Sequence, residues 1–208
     1  MKNILKFYSL PLRILVRPIN GFYEMKFEKK GTLRVALLNL LLVCISYAFY
    51  NQYTSILVNA RHPLNLHSIF DSISVIILLV LFCASNWAVT SLTDGEGKFI
   101  EIVMAICYAM TPFVLILIPA TLFSNILTIQ ETGFFNMLIS FSVIYFLFLS
   151  FIGLVVVHNY TVAKAIFTML LTFVAILIIL FLVTLLITML QQLYTFIWSL
   201  YLEISFRA

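Results

Sequence analysis

Five stretches of this sequence are apolar over about 20 residues or more, the length an α-helix needs to cross the hydrocarbon core of a bilayer. They run over residues 33–53, 69–92, 99–123, 134–157 and 162–190. No stretch shows the alternation of apolar and polar residues that is typical of a membrane β-strand. The sequence therefore predicts an all-α polytopic membrane protein whose residues 33–190 form a five-helix transmembrane bundle.

The composition agrees with this prediction. Of the 208 residues, 63% are hydrophobic and 10% are charged, against about 45–50% and about 25% in soluble domains, and the mean hydropathy is +1.14. A water-soluble chain would lack the polar surface to cover so large a core, which excludes a soluble enzyme, a nucleic-acid-binding domain and a secreted disulfide scaffold. The net charge of +4 does not indicate nucleic acid as a partner, because the basic residues gather beside the predicted bundle.

The positions of the basic residues predict the orientation of the bundle. Eight of the twelve Lys and Arg residues precede or open the first predicted helix: Lys2, Lys6, Arg13, Arg17, Lys26, Lys29, Lys30 and Arg34. If the N-terminus is cytoplasmic, Lys98 and Lys164 fall on the same side, and only Arg61 and Arg207 fall outside. Because cytoplasmic loops are rich in Lys and Arg, we expect a multi-pass protein of the cell membrane with a cytoplasmic N-terminus and an extracytoplasmic C-terminus.

Two segments flank the predicted bundle. Residues 1–32 are basic and cytoplasmic, and residues 1–16 mix apolar side chains with Lys and Arg, which predicts an amphipathic segment in the interface of an anionic leaflet. An arm that docks on a partner is the alternative. Residues 191–208 are rich in aromatic side chains, which settle at the membrane–water boundary and predict an extracytoplasmic interfacial helix. A surface presented to a partner is the alternative for this tail.

The sequence offers no pattern of catalysis. It contains no HExxH, GxSxG or P-loop motif. The thiols Cys44, Cys83 and Cys107 fall inside predicted helices without CxxC spacing, so we interpret them as structural. We expect the chain not to be an enzyme and to need no cofactor or metal, because an intramembrane enzyme requires an activated nucleophile or a bound metal.

Polar and bent positions gather at the predicted cytoplasmic end of the second and third helices. Pro112 is expected to kink the third helix, and Gly95 and Gly97 allow the positive φ of a tight turn between the two helices. One interpretation is a cytoplasm-facing polar niche that receives a substrate or partner peptide, and the other is ordinary helix packing. The candidate residues are Asn86, Trp87, Asp94, Gly95, Glu96, Gly97, Glu101, Tyr108 and Pro112.

A second set of candidates lies on the predicted outer side. Asn125 and Glu131 belong to the link between the third and fourth helices. Glu203 and Arg207 are four residues apart in the tail and can pair on one face of a helix. We interpret these four residues as candidate contacts with a partner.

Several fragments occur in an order that resembles the bacterial branch of the Yip (Ypt-interacting protein) domain family, over almost the whole chain. The most characteristic stretch runs from Asn86-Trp87 through Asp94-Gly95-Glu96-Gly97-Lys98 to Phe99. The other fragments are Arg17-Pro18, Gly21-Phe22, Glu28-Lys29-Lys30-Gly31, Tyr108 with Pro112, Ser124-Asn125 with Thr128 and Glu131, and His158 with Tyr160 and Lys164.

The resemblance implies a five-helix bundle with a cytoplasmic N-terminal segment and no enzymatic activity. Eukaryotic relatives bind Rab-type small GTPases through a long cytoplasmic N-terminus. The corresponding segment is short here, so we do not expect GTPase binding. Bacterial relatives of this length tend to be encoded beside carbohydrate ABC importers, which implies ABC permease subunits as partners.

These observations lead to two hypotheses of function. The first is a non-enzymatic accessory or scaffold protein that packs against other membrane proteins, associated with a bacterial carbohydrate ABC import system. The second is a small transporter, channel or lipid scramblase that uses the polar niche.

Overall fold

The computed structural model describes residues 9–55 and 68–207, and within them the chain folds into α-helices and one short 3₁₀ helix without β-strands. We number the helices of this part of the chain α1 to α8. They are α1 (Ser9–Val16), α2 (Pro18–Lys26), α3 (Leu33–Tyr53), α4 (Ser68–Leu92), α5 (Phe99–Ala109), α6 (Thr111–Ser124), α7 (Thr132–His158) and α8 (Val162–Arg207). The 3₁₀ helix covers Ile129–Glu131.

The prediction of an all-α membrane bundle is confirmed. Within the described residues, five segments are helical, long and apolar enough to cross a membrane. The third of them, Phe99–Ser124, consists of α5 and α6 together, and the fifth, Val162–Phe206, is far longer than the predicted 162–190. Two short turns, after α4 and after α7, make α4 antiparallel to α5 and α7 antiparallel to α8.

The third span is interrupted at Met110, two residues before Pro112. Proline has no N–H and its ring collides with the carbonyl four residues earlier, so carbonyl groups in the preceding turn lose their helical partners. The Thr111 hydroxyl donates to the Tyr108 carbonyl at 2.6 Å, and the Asn39 amide of α3 donates to the Cys107 carbonyl at 2.6 Å. The break is therefore compensated within the protein, as a low-dielectric environment requires.

The centre of the bundle is formed by α5. Ile102, Ala105, Ile106 and Ala109 are at most 2% exposed, and they are packed by the neighbouring helices α3, α4 and α7. Spacings of three and four residues place these side chains on the buried part of the helix, where small residues allow close approach. Because α5 is held at the centre of the bundle, the turn that precedes it is also held in place. This turn carries most of the candidate site.

The N-terminal helices α1 and α2 pack against each other and against the bundle. The side chains of Ile14 and Phe22 are fully buried. Gly21 allows the two helices to meet, because a Cβ at this position would lie 2.6 Å from Ile14 Cγ1. Residues 1–8 of the predicted interfacial segment lie outside the described residues, and the contact of α1 and α2 with lipid stays a prediction.

The last helix, α8, continues without interruption past residue 190, where the sequence predicts the change from span to tail. It packs against α4 near its start, and every residue from 180 to 206 is exposed. We call residues 180–206 distal α8. The predicted tail is helical, whereas its interfacial position remains a prediction.

Candidate functional site

The turn between α4 and α5, residues 93–98, brings several of the candidate residues together. Its tight geometry depends on Asp94, whose φ is +53°, and on a hydrogen bond from the Gly95 N–H to the Thr90 carbonyl at 2.8 Å. Asp tolerates the left-handed region better than most residues. The prediction of a tight turn holds, but the positive φ falls on Asp94, and neither Gly95 nor Gly97 adopts one.

The two glycines are needed for space. A Cβ on Gly95 would lie 2.6 Å from the Tyr160 hydroxyl, and a Cβ on Gly97 would lie 2.7 Å from His158 Cε1 and 2.7 Å from Val157 Cγ1. The end of α7 and the residues after it therefore press directly on the backbone of the turn. This close approach explains the Gly-x-Gly pattern.

A chain of hydrogen bonds connects the turn to α7, α4 and α8. The Gly97 N–H donates to His158 Nδ1 at 3.3 Å, His158 Nε2 pairs with Asn86 Oδ1 at 3.2 Å, and the Asn86 amide donates to Thr172 Oγ1 at 3.1 Å. Thr172 in turn donates to the Thr168 carbonyl at 2.8 Å. We call Gly97, His158, Asn86 and Thr172 the His158 network.

The donors and acceptors of this network follow from the Gly97 N–H. A backbone N–H can only donate, so Nδ1 of His158 must accept, and the proton of a neutral imidazole is then on Nε2. Nε2 donates to Asn86 Oδ1, which leaves the Asn86 nitrogen to donate to Thr172. Asn86, His158 and Thr172 are at most 2% exposed, so these polar groups satisfy one another inside the bundle.

Tyr160 provides a second contact with the same turn, in addition to that of His158. Its hydroxyl donates to the Thr93 carbonyl at 3.1 Å and lies 3.0 Å from Thr93 Oγ1. The Tyr160 ring stacks on His158 with 5.2 Å between centroids, and Lys164 Nζ lies 4.6 Å from the centroid of the Tyr160 ring. Such a cation–π contact is worth about 0.5–1 kcal/mol at an exposed site.

The remaining candidates around the turn have separate roles. Glu101 accepts a hydrogen bond from the Lys98 N–H at 3.1 Å and caps α5. Glu96 forms an ion pair with Lys26 of α2 at 3.4 Å. Trp87 is 48% exposed on the outer surface of α4, where its ring meets Phe99 edge-on. These side chains do not line one niche with Asn86.

Tyr108 and Pro112 lie deeper and contact other elements. The Tyr108 hydroxyl donates to the Thr32 carbonyl at 2.9 Å and accepts from the Thr32 N–H at 3.2 Å, which ties the segment before α3 to α5. Pro112 is buried in the first turn of α6. The structure thus divides the nine candidates among the turn, the Thr32 contact and the break in the third span.

The outer candidates also act within the chain. The Asn125 amide donates to the Tyr53 carbonyl at 3.1 Å, and Glu131 accepts from the Thr128 N–H at 2.9 Å. Glu203 is exposed on distal α8. The side chain of Arg207 lies outside what the structure describes, so its pairing with Glu203 stays a prediction.

His158, Tyr160 and Thr172 carry the network but were not among the predicted site residues. His158 and Tyr160 stand in a four-residue turn between two apolar spans, which is a signal of a polar contact at a helix end. Thr172 gives no such signal, because a lone threonine inside an apolar helix usually bonds its own backbone.

Comparison with known proteins matches the Yip1 domain over residues 12–185. The chain belongs to the Yip1 family. No curated protein and no solved structure matches it. The match includes α1 from Leu12 onwards, all five spans up to residue 185 and the His158 network. Assignment of this Yip1 chain to the bacterial branch remains a prediction.

The chemistry of the Yip1 chain can be stated for the residues that the structure describes. Among them, His, Cys, Asp and Glu form no group of three or more that could hold a metal ion. Cys83 and Cys107 are buried and Cys44 is partly exposed, all as free thiols. The His158 network joins α4, α7 and α8 to the turn before α5 and is well suited to hold them together.

Proposed function

We propose that this Yip1-family protein is a non-enzymatic accessory protein that binds other integral membrane proteins, and that distal α8 is the binding surface. The observation that carries the proposal is the exposure of every residue from 180 to 206 in an unbroken helix. No other span of the described chain is left so free of packing partners over such a length.

The length of α8 supports a partner beyond lipid. At 1.5 Å per residue its 46 residues extend roughly 69 Å, whereas the hydrocarbon core is about 30 Å thick. An upright α8 would therefore carry Phe196, Trp198 and Tyr201 well outside the core, all more than half exposed. Apolar surface of this extent in water requires a cover, and extended apolar patches mark interaction sites.

One face of distal α8 has the character of a helix-packing surface. Thr188, Thr195 and Ser199 recur at intervals of four and seven residues, beside Gln191, along a shallow groove of about 440 Å³. Their hydroxyls are already bonded to carbonyls of their own helix, at 2.7–2.8 Å. Small residues whose polar groups are satisfied allow a second helix to approach closely.

The partner class follows from the family resemblance. Bacterial relatives of this length tend to be encoded beside carbohydrate ABC importers, so we propose a permease subunit of such a system as the partner. With the predicted cytoplasmic N-terminus and extracytoplasmic tail, the distal end of α8 would lie on the outer side of the cell membrane.

A photo-reactive amino acid in place of Ser199 tests the proposal in native membranes. We expect illumination to cross-link the chain to an integral membrane protein of an import system, identified by mass spectrometry. The matched control is the same amino acid at Leu41, which is 58% exposed on α3 and should give no protein adduct. Equal adducts at both positions, or a cross-link only to a second copy of the chain, would contradict an accessory role.

A small transporter, channel or scramblase is less well supported. The hypothesis needs the polar groups of the niche to meet a substrate, but Asn86, Gly97 and His158 bond to one another. Flux of ions, sugars or lipids into liposomes above that of empty vesicles would favour this alternative over the accessory role.

A further inference from the structure

Within the α1–α2 hairpin, α2 packs along α7, and α1 contacts α5 and α6. The Tyr145 hydroxyl donates to the Leu15 carbonyl near the tip of the hairpin. Phe22 packs on Gly153, where a Cβ would come within 3.0 Å of the ring. Lys26, at the end of α2, pairs with Glu96 beside the turn that His158 contacts. The hairpin therefore rises along α7 from Tyr145 towards His158.

These contacts give the depth of the hairpin tip. Tyr145 and His158 are separated by 13 residues of a continuous helix, which corresponds to roughly 20 Å. The hydrocarbon core is about 30 Å thick, so the tip at residues 16–18 lies near the middle of the span. α1 also contacts both α5 and α6, the two halves of the third span, which places it at the same depth.

The hairpin carries exposed apolar side chains on both of its helices, which we call the apolar stripe. It consists of residues spaced by three or four positions, each 43–75% exposed: Leu12, Val16, Ile19, Tyr23 and Phe27. The inward side is buried, with Ile14 and Phe22 at 0% exposure. Backbone and side chains at membrane depth that do not face protein must face acyl chains or a water-filled groove.

A charged groove of about 660 Å³ runs beside this stripe. Arg13 and Glu24 line it as an ion pair at 2.6 Å, and Glu24 also binds Lys30 at 3.2 Å. Arg17 and Asn20 also line it. Arg17 is exposed and forms no ion pair with any residue that the structure describes, although a charge at membrane depth costs about 2.5–3.5 kcal/mol on insertion scales.

The net positive charge around the groove indicates that the binding partner of Arg17 is an anion. Between residues 9 and 34 the chain has six Lys and Arg residues and two Glu residues. Guanidinium groups bind phosphate oxygens in a bidentate manner, and basic clusters at this position attract anionic lipids. An apolar stripe next to the groove adds a surface for acyl chains, which free phosphate would not use.

We propose that the α1–α2 hairpin is a re-entrant element in the leaflet on the His158 side, and that Arg17 binds the phosphate of an anionic phospholipid whose acyl chains cover the apolar stripe. The Arg17 side chain extends up the groove towards the leaflet surface and meets the headgroup there, so that the acyl chains run from the groove past Ile19 at the hairpin tip. Charges at such sites are commonly accommodated by local thinning of the bilayer and by long side chains that extend towards the surface.

Lipid binding provides the first test. Purified protein is exchanged into nanodiscs of phosphatidylcholine with and without phosphatidylglycerol, and bound lipids are counted by native mass spectrometry. We expect Arg17→Gln to weaken phosphatidylglycerol retention about tenfold. Arg34→Gln removes the same charge from an exposed arginine outside the groove and should retain lipid as the unmodified protein does. Equal losses in both variants would overturn the proposal, because they would indicate general surface attraction.

A second variant and a competition experiment complete the lipid-binding test. If Arg17→Gln does not fold, Arg17→Lys keeps the charge without the bidentate geometry and should show a smaller loss of phosphatidylglycerol. Inorganic phosphate added in detergent should not displace the bound lipid. Displacement by phosphate alone would show a free-anion site and overturn the lipid assignment.

The depth of the hairpin is measured separately. A spin label on Ile19→Cys, which is exposed near the hairpin tip outside the groove lining, in a chain whose three native cysteines are replaced by alanine, should collide with oxygen far more often than with a water-soluble nickel complex. The control label on Glu28→Cys, beyond the end of α2, should show the reverse. Nickel accessibility at residue 19 equal to that at residue 28 would place the hairpin on the surface and overturn its re-entrant position.

Discussion

His158 Nδ1 lies 3.3 Å from the backbone nitrogen of Gly97 and accepts its hydrogen. This single contact joins the last residue of the fourth span to the turn between the second and third spans. The imidazole then continues to Asn86 and, through it, to Thr172 of the fifth span. The second, fourth and fifth spans are thus tied to the turn before the third span, at one end of the bundle, by contacts between residues more than 60 positions apart in sequence.

Replacing Gly97 by alanine tests the close approach at this contact. The added Cβ would lie 2.7 Å from His158 Cε1, and the ring cannot move without losing two hydrogen bonds. We expect Gly97→Ala to lower the free energy of unfolding by about 1–3 kcal/mol. Gly133→Ala is the control, since no atom lies within 4 Å of its Cβ position. A thermal melt in mild detergent compares the two, and equal melting temperatures would contradict the packing described here.

Asn39 compensates the break in the third span, so replacing it should lower the free energy of unfolding. Asn39→Ala removes the donor to the Cys107 carbonyl and leaves that carbonyl without this partner in a buried, apolar setting. We expect a loss of about 1 kcal/mol of unfolding free energy, in the range measured for polar contacts between membrane helices. Asn136→Ala, at an exposed position of α7, should change stability by less than about 0.5 kcal/mol. Reversible unfolding in mixed micelles gives both values.

The contribution of Glu24 should depend on pH. Its hydrogen bond with Arg13, and less strongly the contacts with Lys30, lower the pKa of the Glu24 carboxyl below its ordinary value of 4.5. A lowered pKa in the folded state means that the stabilisation is present above pH 4.5 and is lost as the pH falls through the folded-state pKa. The difference in melting temperature between the unmodified protein and Glu24→Gln should therefore shrink in acid.

Glu28→Gln is the control for this pH series. Glu28 pairs with Lys30 only two residues away, so the pair does not hold α2 to α1. A difference between the unmodified protein and Glu24→Gln that stays constant down to acid pH would show that the Arg13–Glu24 pair does not stabilise the hairpin.

The orientation of the bundle is tested by labelling from outside the cell. Glu96 and Gln130 are exposed at opposite ends of the third span. In a chain without other cysteines, Gln130→Cys should react with a membrane-impermeant maleimide in intact cells, and Glu96→Cys should react only after permeabilisation. The reverse pattern would invert the topology and move the His158 network to the outer side.

The sequence predicted those parts of the fold that depend on periodicity and composition. The five spans, the turn at residues 94–98 and the interruption near Pro112 all follow from local signals, because hydrophobic length and proline chemistry act within one helix. Local signals could not predict contacts between residues that are distant in sequence. Nothing around Asn39 indicates that its amide reaches the carbonyl of Cys107, and nothing around Thr172 indicates a bond to Asn86.

The candidate site shows the same division. The nine predicted residues were chosen because they are polar or bent and lie near one end of the bundle, but helix rotation decides where each side chain points. Asn86 faces the interior and Trp87, the next residue, faces outwards at 48% exposure. The sequence correctly predicted a tight turn at Gly95 and Gly97, but for the wrong reason. Glycine is required there because a Cβ would collide with His158 and Tyr160, and not because φ is positive.

The compensated break in the third span has a mechanical consequence. A helix interrupted by proline commonly serves as a swivel, because the freed carbonyls let its two halves reorient. Here the Cys107 carbonyl is held by Asn39 of another span and the Tyr108 carbonyl by Thr111, so the angle between α5 and α6 is locked. The third span is therefore expected to behave as a rigid elbow, whereas distal α8, exposed at every residue from 180 to 206, is the part of the described chain with the fewest packing restraints.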